Sequence, residues 1–258
     1  MYLYSHELKL QQAKTHLEHI KAETSEWLKQ NPNCIDAKIN RNKGEFIVKF
    51  IPTAEFPSNK IALLIGDCIH NIRSSLDHLV YALALRYCNN SLPEKFSETC
   101  EFPIFKQPKK NEKWKKKTGF IDPKAQEIIK GLQPYVEGNN NTSSMLWTIH
   151  ELDCIDKHRR LHVIILLLYL NVFSYDNFSS ESFEKVDPKQ PLENGMVIAR
   201  IIGKPILPKQ PVDVKLNYNF QITLKEPLPL GNISIMTVLQ NAIQYVQDNV
   251  FVPLNKFL

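Results

Sequence analysis

The chain has 258 residues, 43% of them hydrophobic and 23% charged, an ordinary globular composition that excludes disorder and leaves enough apolar material for a full core. Its formal charge is +5, but Lys106 to Lys117 holds seven lysines against one glutamate, so the basicity is one local patch on a nearly neutral remainder. Five cysteines, widely spaced and without a Cys-x-x-Cys pair, exclude a disulfide framework and a zinc ribbon and fit a reducing compartment.

Ser5 to Gln30 places Leu8, Leu17, Ile20, Trp27 and Leu28 among charges at helical spacing, and Asn31-Pro32 stops the helix. Ile35 to Ile39 and Phe46 to Ile51 alternate about Asn42-Lys43-Gly44, a hairpin pattern. Ser58 to about Tyr87 reads as a long helix capped by Ser58, with Pro93 beyond its end. A loop-rich stretch follows, containing the segment Phe-Pro-Ile-Phe (102–105) as a hydrophobic plug and the lysine patch as a solvated, mobile loop. Asp122-Pro123 then opens a short helix that stops at Gln133-Pro134-Tyr135, and Ser143 to Asn171 reads as a second long helix whose buried end is Val163 to Leu170. Met196 to Ile202 and Val212 to Leu224 read as antiparallel strands, and Ser234 to Val250 as a closing helix.

The expected fold class is α+β: a helical core of four main helices (5–30, 58–88, 122–171, 234–251) with an antiparallel β layer (35–52 and 172–230). No linker is evident, so one domain over 1–258 is expected. The first residues carry charges throughout and lack the apolar core of a signal peptide. The run 163–170 is far shorter than the roughly 20 residues of a membrane span. A cytoplasmic chain with no membrane partner is the expectation.

The second helix is unusual in its polar residues. Ile61, Ile65, Cys68, Ile69, Ile72, Leu76, Leu79 and Leu83 form the core stripe. The remaining surface carries Asp67, His70, Asn71, Arg73, Ser74, Asp77 and His78, with no lysine or glutamate between Lys60 and Arg86. These are short or fixed hydrogen-bonding groups and poor helix formers, so they point to a buried polar network or a working site. On the later long helix, Met145, Ile149 and Leu152 define an apolar stripe that Asp156 and Arg159 continue. A buried Asp156 needs donors, for which Arg73 and Lys157 are the candidates, so the two polar clusters should meet. His150, Cys154, His158 and His162 recur every four residues, a spacing compatible with zinc, though no His-Glu-x-x-His is present. Eight glycines, none in phosphate-loop spacing, argue against a nucleotide cofactor, and no cofactor is expected.

Arg73-Ser-Ser-Leu-Asp-His78, on the polar side of a helix in a largely helical core, resembles the signature of HEPN-type ribonuclease domains of bacterial toxins and antiviral systems. The wider pattern GDCIHNIRSSLDHL, FPIF, LQPY and LDCIDKHRRLH, over about half the chain, also resembles a group of uncharacterised bacterial proteins. The HEPN resemblance implies metal-independent RNA cleavage at a homodimer interface. His78 would exchange a proton at the ribose or leaving oxygen, Arg73 would hold the phosphate, and Asp77 or Asp156 would orient them, with His70 and His158 as further acid–base groups. RNA contact is expected from Lys113, Lys115, Lys116 and Lys117, with Trp114 stacking on a base. Two alternatives stay open: a non-enzymatic binding or assembly protein with a structural polar network, and a metal-dependent enzyme using helix-borne His and Asp.

Overall fold

The computed structural model describes residues 4–40, 42–97, 99–108, 111–136, 144–185, 190–205, 213–225 and 233–258. It is an α+β protein whose sheets are antiparallel. Its elements run α1 (Ser5–Gln30), β1 (Ile35–Asn40), β2 (Glu45–Phe50), α2 (Ser58–Tyr87), α3 (Glu94–Ser97), α4 (Asn111–Thr118), α5 (Pro123–Gly131) and α6 (Met145–His158). They continue through β3 (Val163–Asp176), β4 (Phe178–Lys185), β5 (Val197–Pro205), β6 (Asp213–Leu224) and α7 (Ile235–Tyr245). A π-helical turn (Val246–Phe251), α8 (Val252–Leu254) and a 3-10 turn (Asn255–Phe257) close the chain.

Two compact units partition the chain, one comprising Met1–Lys21, Asn59–His162 and Glu226–Leu258, the other Ala22–Ser58 and Val163–Lys225. The first is helical. In α1 its buried stripe is Leu10, Ala13, Leu17 and Ile20, spaced three and four apart, whereas Leu8 and Leu28 fall off that stripe and are exposed. α2 buries all eight residues of its expected core face, each worth about 1.5–3 kcal/mol relative to exposure. The Cys68 thiol donates to the Ala13 carbonyl at 3.3 Å, tying α2 to α1. α5 starts as its sequence suggests, with the Asp122 carboxylate accepting the Lys124 N–H and Pro123 in the first turn.

The second unit holds a four-stranded sheet in the order β1-β2-β5-β4 and the β3-β6 pair. The hairpin lies where alternation placed it, with Ile35 opposite Phe50 and Asn40 opposite Glu45. β2 alternates half-buried and buried positions, sending Phe46, Val48 and Phe50 into a core with Trp27, Ile165, Leu167, Leu170 and Ile198. Gly44, at φ 63°, accepts the Gly203 N–H at 2.8 Å, and a Cβ on Gly44 would meet the Gly203 carbonyl.

Three expectations are corrected. The helix expected over Ser143 to Asn171 ends at His158, where Arg159 is extended (φ −159°, ψ 153°), and Val163–Asp176 is a strand paired with β6 from Val163↔Leu224 to Asp176↔Asp213. A continuous apolar run has the same appearance in a buried strand and a buried helix, and Val163, Ile164 and Ile165 are β-branched. The stretch 122–171, expected to be part of the helical core, therefore comprises α5, α6 and most of β3, and the helical part is divided among more than four helices. The lysine patch is a helix over Asn111–Thr118, because lysine and glutamate are good helix formers and Trp114, Lys117 and Thr118 give it an inward side. Lys109 and Lys110 lie outside the described residues.

Candidate active site

The polar residues of α2 serve two different neighbourhoods in the helical unit. Arg73, only 7% exposed, sends Nη2 to the Phe102 carbonyl at 2.9 Å, and its Nη1 lies 2.8 Å from Asp77 Oδ1. The Asp77 carboxylate in turn accepts the Phe102 N–H at 2.7 Å, so the i and i+4 side chains grip both polar groups of one peptide residue. Gln133, fully buried, completes the hold by accepting the Phe105 N–H at 2.9 Å and donating to the Pro103 carbonyl at 2.8 Å. The Phe-Pro-Ile-Phe segment is thus a plug, with Phe102 fully buried, pinned by side chains from α2 and from the end of α5. Such an extended segment cannot satisfy its own backbone, and these side chains do it.

Burial raises the Asp77 carboxyl above its ordinary value, with Arg73 and the Phe102 N–H only partly offsetting it. Glu101 ion-pairs with Lys117, whose amine is brought down to about 8 by burial and then by the Arg73 charge. Burial holds the Cys100 thiol near 12 and raises that of Cys154, so neither supplies a thiolate near neutrality.

The second neighbourhood is the α2–α6 seam. Asp153, with its side chain 3% exposed, is the buried carboxylate of α6, not Asp156. Its Oδ2 accepts from Lys157 Nζ at 2.6 Å, and its Oδ1 faces His70 Nδ1 at 3.5 Å. The two partners reach outward from it: the imidazole is 55% exposed and the lysine side chain 52%. Asp156 instead packs on Gly66, where an added Cβ would fall within 2.7 Å of its carboxylate atoms. Burial and the nearby Asp153 and Asp67 raise its pKa. The polar faces of α2 and α6 do meet, and Lys157 rather than Arg73 donates to the buried aspartate.

The remaining candidates are dispersed. His78 lies in the fields of Lys9 and Asp77, its pKa lowered chiefly by burial and then by Lys9, and it acts in turn on His6. Arg73, by contrast, faces the Phe102 segment, so the first and last residues of the Arg-x4-His motif serve different neighbours. His150 Nε2 is 3.8 Å from the Cys154 sulfur, His158 is exposed on the last turn of α6, and His162 lies beyond that helix, so the four-residue series is interrupted. Lys113, Lys115 and Lys116 are exposed on α4, while Lys117 turns inward and Trp114 packs toward Phe105 at 6.3 Å between ring centroids.

Sequence reasoning missed Asp153, Glu101 and the Gln133 clamp. Gln133 lies inside the LQPY motif, but its partners are backbone atoms, which leave no sequence signal. Among the described residues no group of three or more His, Cys, Asp or Glu is arranged to hold a metal ion, and no helix is long and apolar enough to cross a membrane. No protein-family model, curated protein or solved structure matches the chain.

Proposed function

We propose that this chain is a metal-independent RNA endonuclease, the activity its HEPN resemblance implies, with His70, oriented by Asp153, as the acid–base residue in place of the motif's His78. The observation that carries the reading is a half-exposed imidazole whose Nδ1 faces a buried carboxylate, the arrangement that favours the Nδ1–H tautomer and leaves Nε2 as a base. His70 takes the proton of a ribose 2′-hydroxyl, the 2′-oxygen attacks the adjacent phosphorus, and the bond to the 5′-oxygen breaks. The products are a 2′,3′-cyclic phosphate and a 5′-hydroxyl. A second copy of the site across a homodimer supplies the proton to the leaving oxygen, and Lys157 stabilises charge on the phosphoryl oxygens. Arg73 and Asp77 have a structural part, holding the Phe102 segment. Exposed Lys113, Lys115 and Lys116 supply backbone contacts to RNA. Five free thiols suit a cytoplasmic setting, in which a toxin or antiviral role is the biological form of the reading.

The test is cleavage of labelled total RNA in EDTA by wild type, His70→Ala and His78→Ala, with circular dichroism confirming that each is folded. Loss of cleavage in His70→Ala alone supports the assignment. Loss in His78→Ala alone moves the chemistry to the Arg-x4-His motif itself. No cleavage by wild type favours the second reading, a non-enzymatic binding or assembly protein, whose supporting observation is that Arg73, Asp77 and Gln133 are engaged with backbone.

A further inference from the structure

The sheet unit contains a cavity of about 580 Å³, within the size range of small-molecule sites, whose described lining residues all belong to that unit. Its apolar walls include Trp27, Phe50, Phe56 and Leu192. Among the described residues that line it, the charged ones are Glu55 and Glu193. Neither carboxylate is paired with a basic side chain among the described residues.

The walls are fixed in place before any ligand arrives. Trp27 Nε1 donates to the Ala54 carbonyl at 2.9 Å, and Asn31 bridges the end of α1 to Ala54 by donating to the Trp27 carbonyl and accepting the Ala54 N–H. The Leu192 N–H donates to the Ile165 carbonyl and the Gly195 N–H to that of Phe50. Trp27 and Phe56 meet edge to face, with centroids 5.2 Å apart.

We propose that this cavity binds an organic cation: an amine or quaternary ammonium group carried on an apolar body. Two carboxylates at an apolar pocket select positive charge and disfavour an anion. Ser58, the first residue of α2, also lines the cavity, and a helix start favours anions. That contribution is about half a unit charge, against two full negative charges.

The test uses benzyltrimethylammonium as probe and phenylacetate as its anionic counterpart, with calorimetry on the full chain. The chain has three tryptophans, so Trp27 emission is read in a Trp114→Phe/Trp147→Phe background. Saturable binding of the cation with a change in Trp27 emission is expected, weakened at least tenfold in Glu55→Gln/Glu193→Gln, with phenylacetate not binding. Both glutamates are exposed, so the double variant keeps its fold, which circular dichroism checks. Absence of saturable binding, or equal affinity of the double variant, overturns the proposal. The RNA reading is unaffected by either result.

Discussion

Replacing Arg73 by methionine separates a structural role of this side chain from a part in the chemistry. Methionine keeps much of the side-chain volume but removes the donor to the Phe102 carbonyl and the partner of Asp77. A hydrogen bond from a charged group is worth about 1.5–3 kcal/mol, and breaking a buried ion pair typically costs about 3–5 kcal/mol. Arg73 is 7% exposed but Asp77 is 31% exposed, so part of the stranded carboxylate's penalty is screened. Nη1 also approaches Asp77 off its N–H axis and has no hydrogen-bond acceptor among the described residues. Both effects place the loss near the lower end, about 3 kcal/mol in urea unfolding. Asp77→Asn keeps an oxygen to accept the Phe102 N–H and removes the stranded charge. The double variant should therefore be more stable than the sum of the single losses implies, by about 1–2 kcal/mol. Arg73→Met unfolding within about 0.5 kcal/mol of wild type, with RNA cleavage abolished, would refute the reasoning and make Arg73 a phosphate ligand.

Gln133→Leu strands the Phe105 N–H and the Pro103 carbonyl in the core, and should lower unfolding stability by about 2–4 kcal/mol; a loss under about 1 kcal/mol would show that the plug holds without its clamp. Burial lowers His6, His78 and His150 below 6.5, so between their folded values and 6.5 the unfolded chain binds protons that the folded chain does not. Stability is therefore present above 6.5 and lost as pH falls through that window. Thermal melts from pH 7.5 downward should show a falling Tm, with a smaller fall in His150→Gln, and a level Tm would contradict the assignment. Changing Lys113, Lys115 and Lys116 to Gln should reduce the salt dependence of single-stranded RNA binding by about two units of log–log slope, whereas an unchanged slope would remove α4 from the RNA face.

Local periodicity determined much of this protein. Helices α1 and α2, the β1–β2 hairpin and the Asp122-Pro123 helix start follow from residues a few positions apart, because their hydrogen bonds and caps are local. The crowding of Asp, His, Asn, Arg and Ser on α2 likewise marked that face before any contact was known. Only the tertiary structure decided whether Val163 to Leu170 is helix or strand, since the choice rests on pairing with β6 about fifty residues later. It also decided which aspartate of α6 is buried: the packing of α6 on Gly66 puts Asp156 at the glycine and Asp153 between Lys157 and His70, less than one turn away. The partners of Arg73, Asp77 and Gln133 are largely backbone atoms of a distant segment, common to every residue type and so invisible in side-chain patterns.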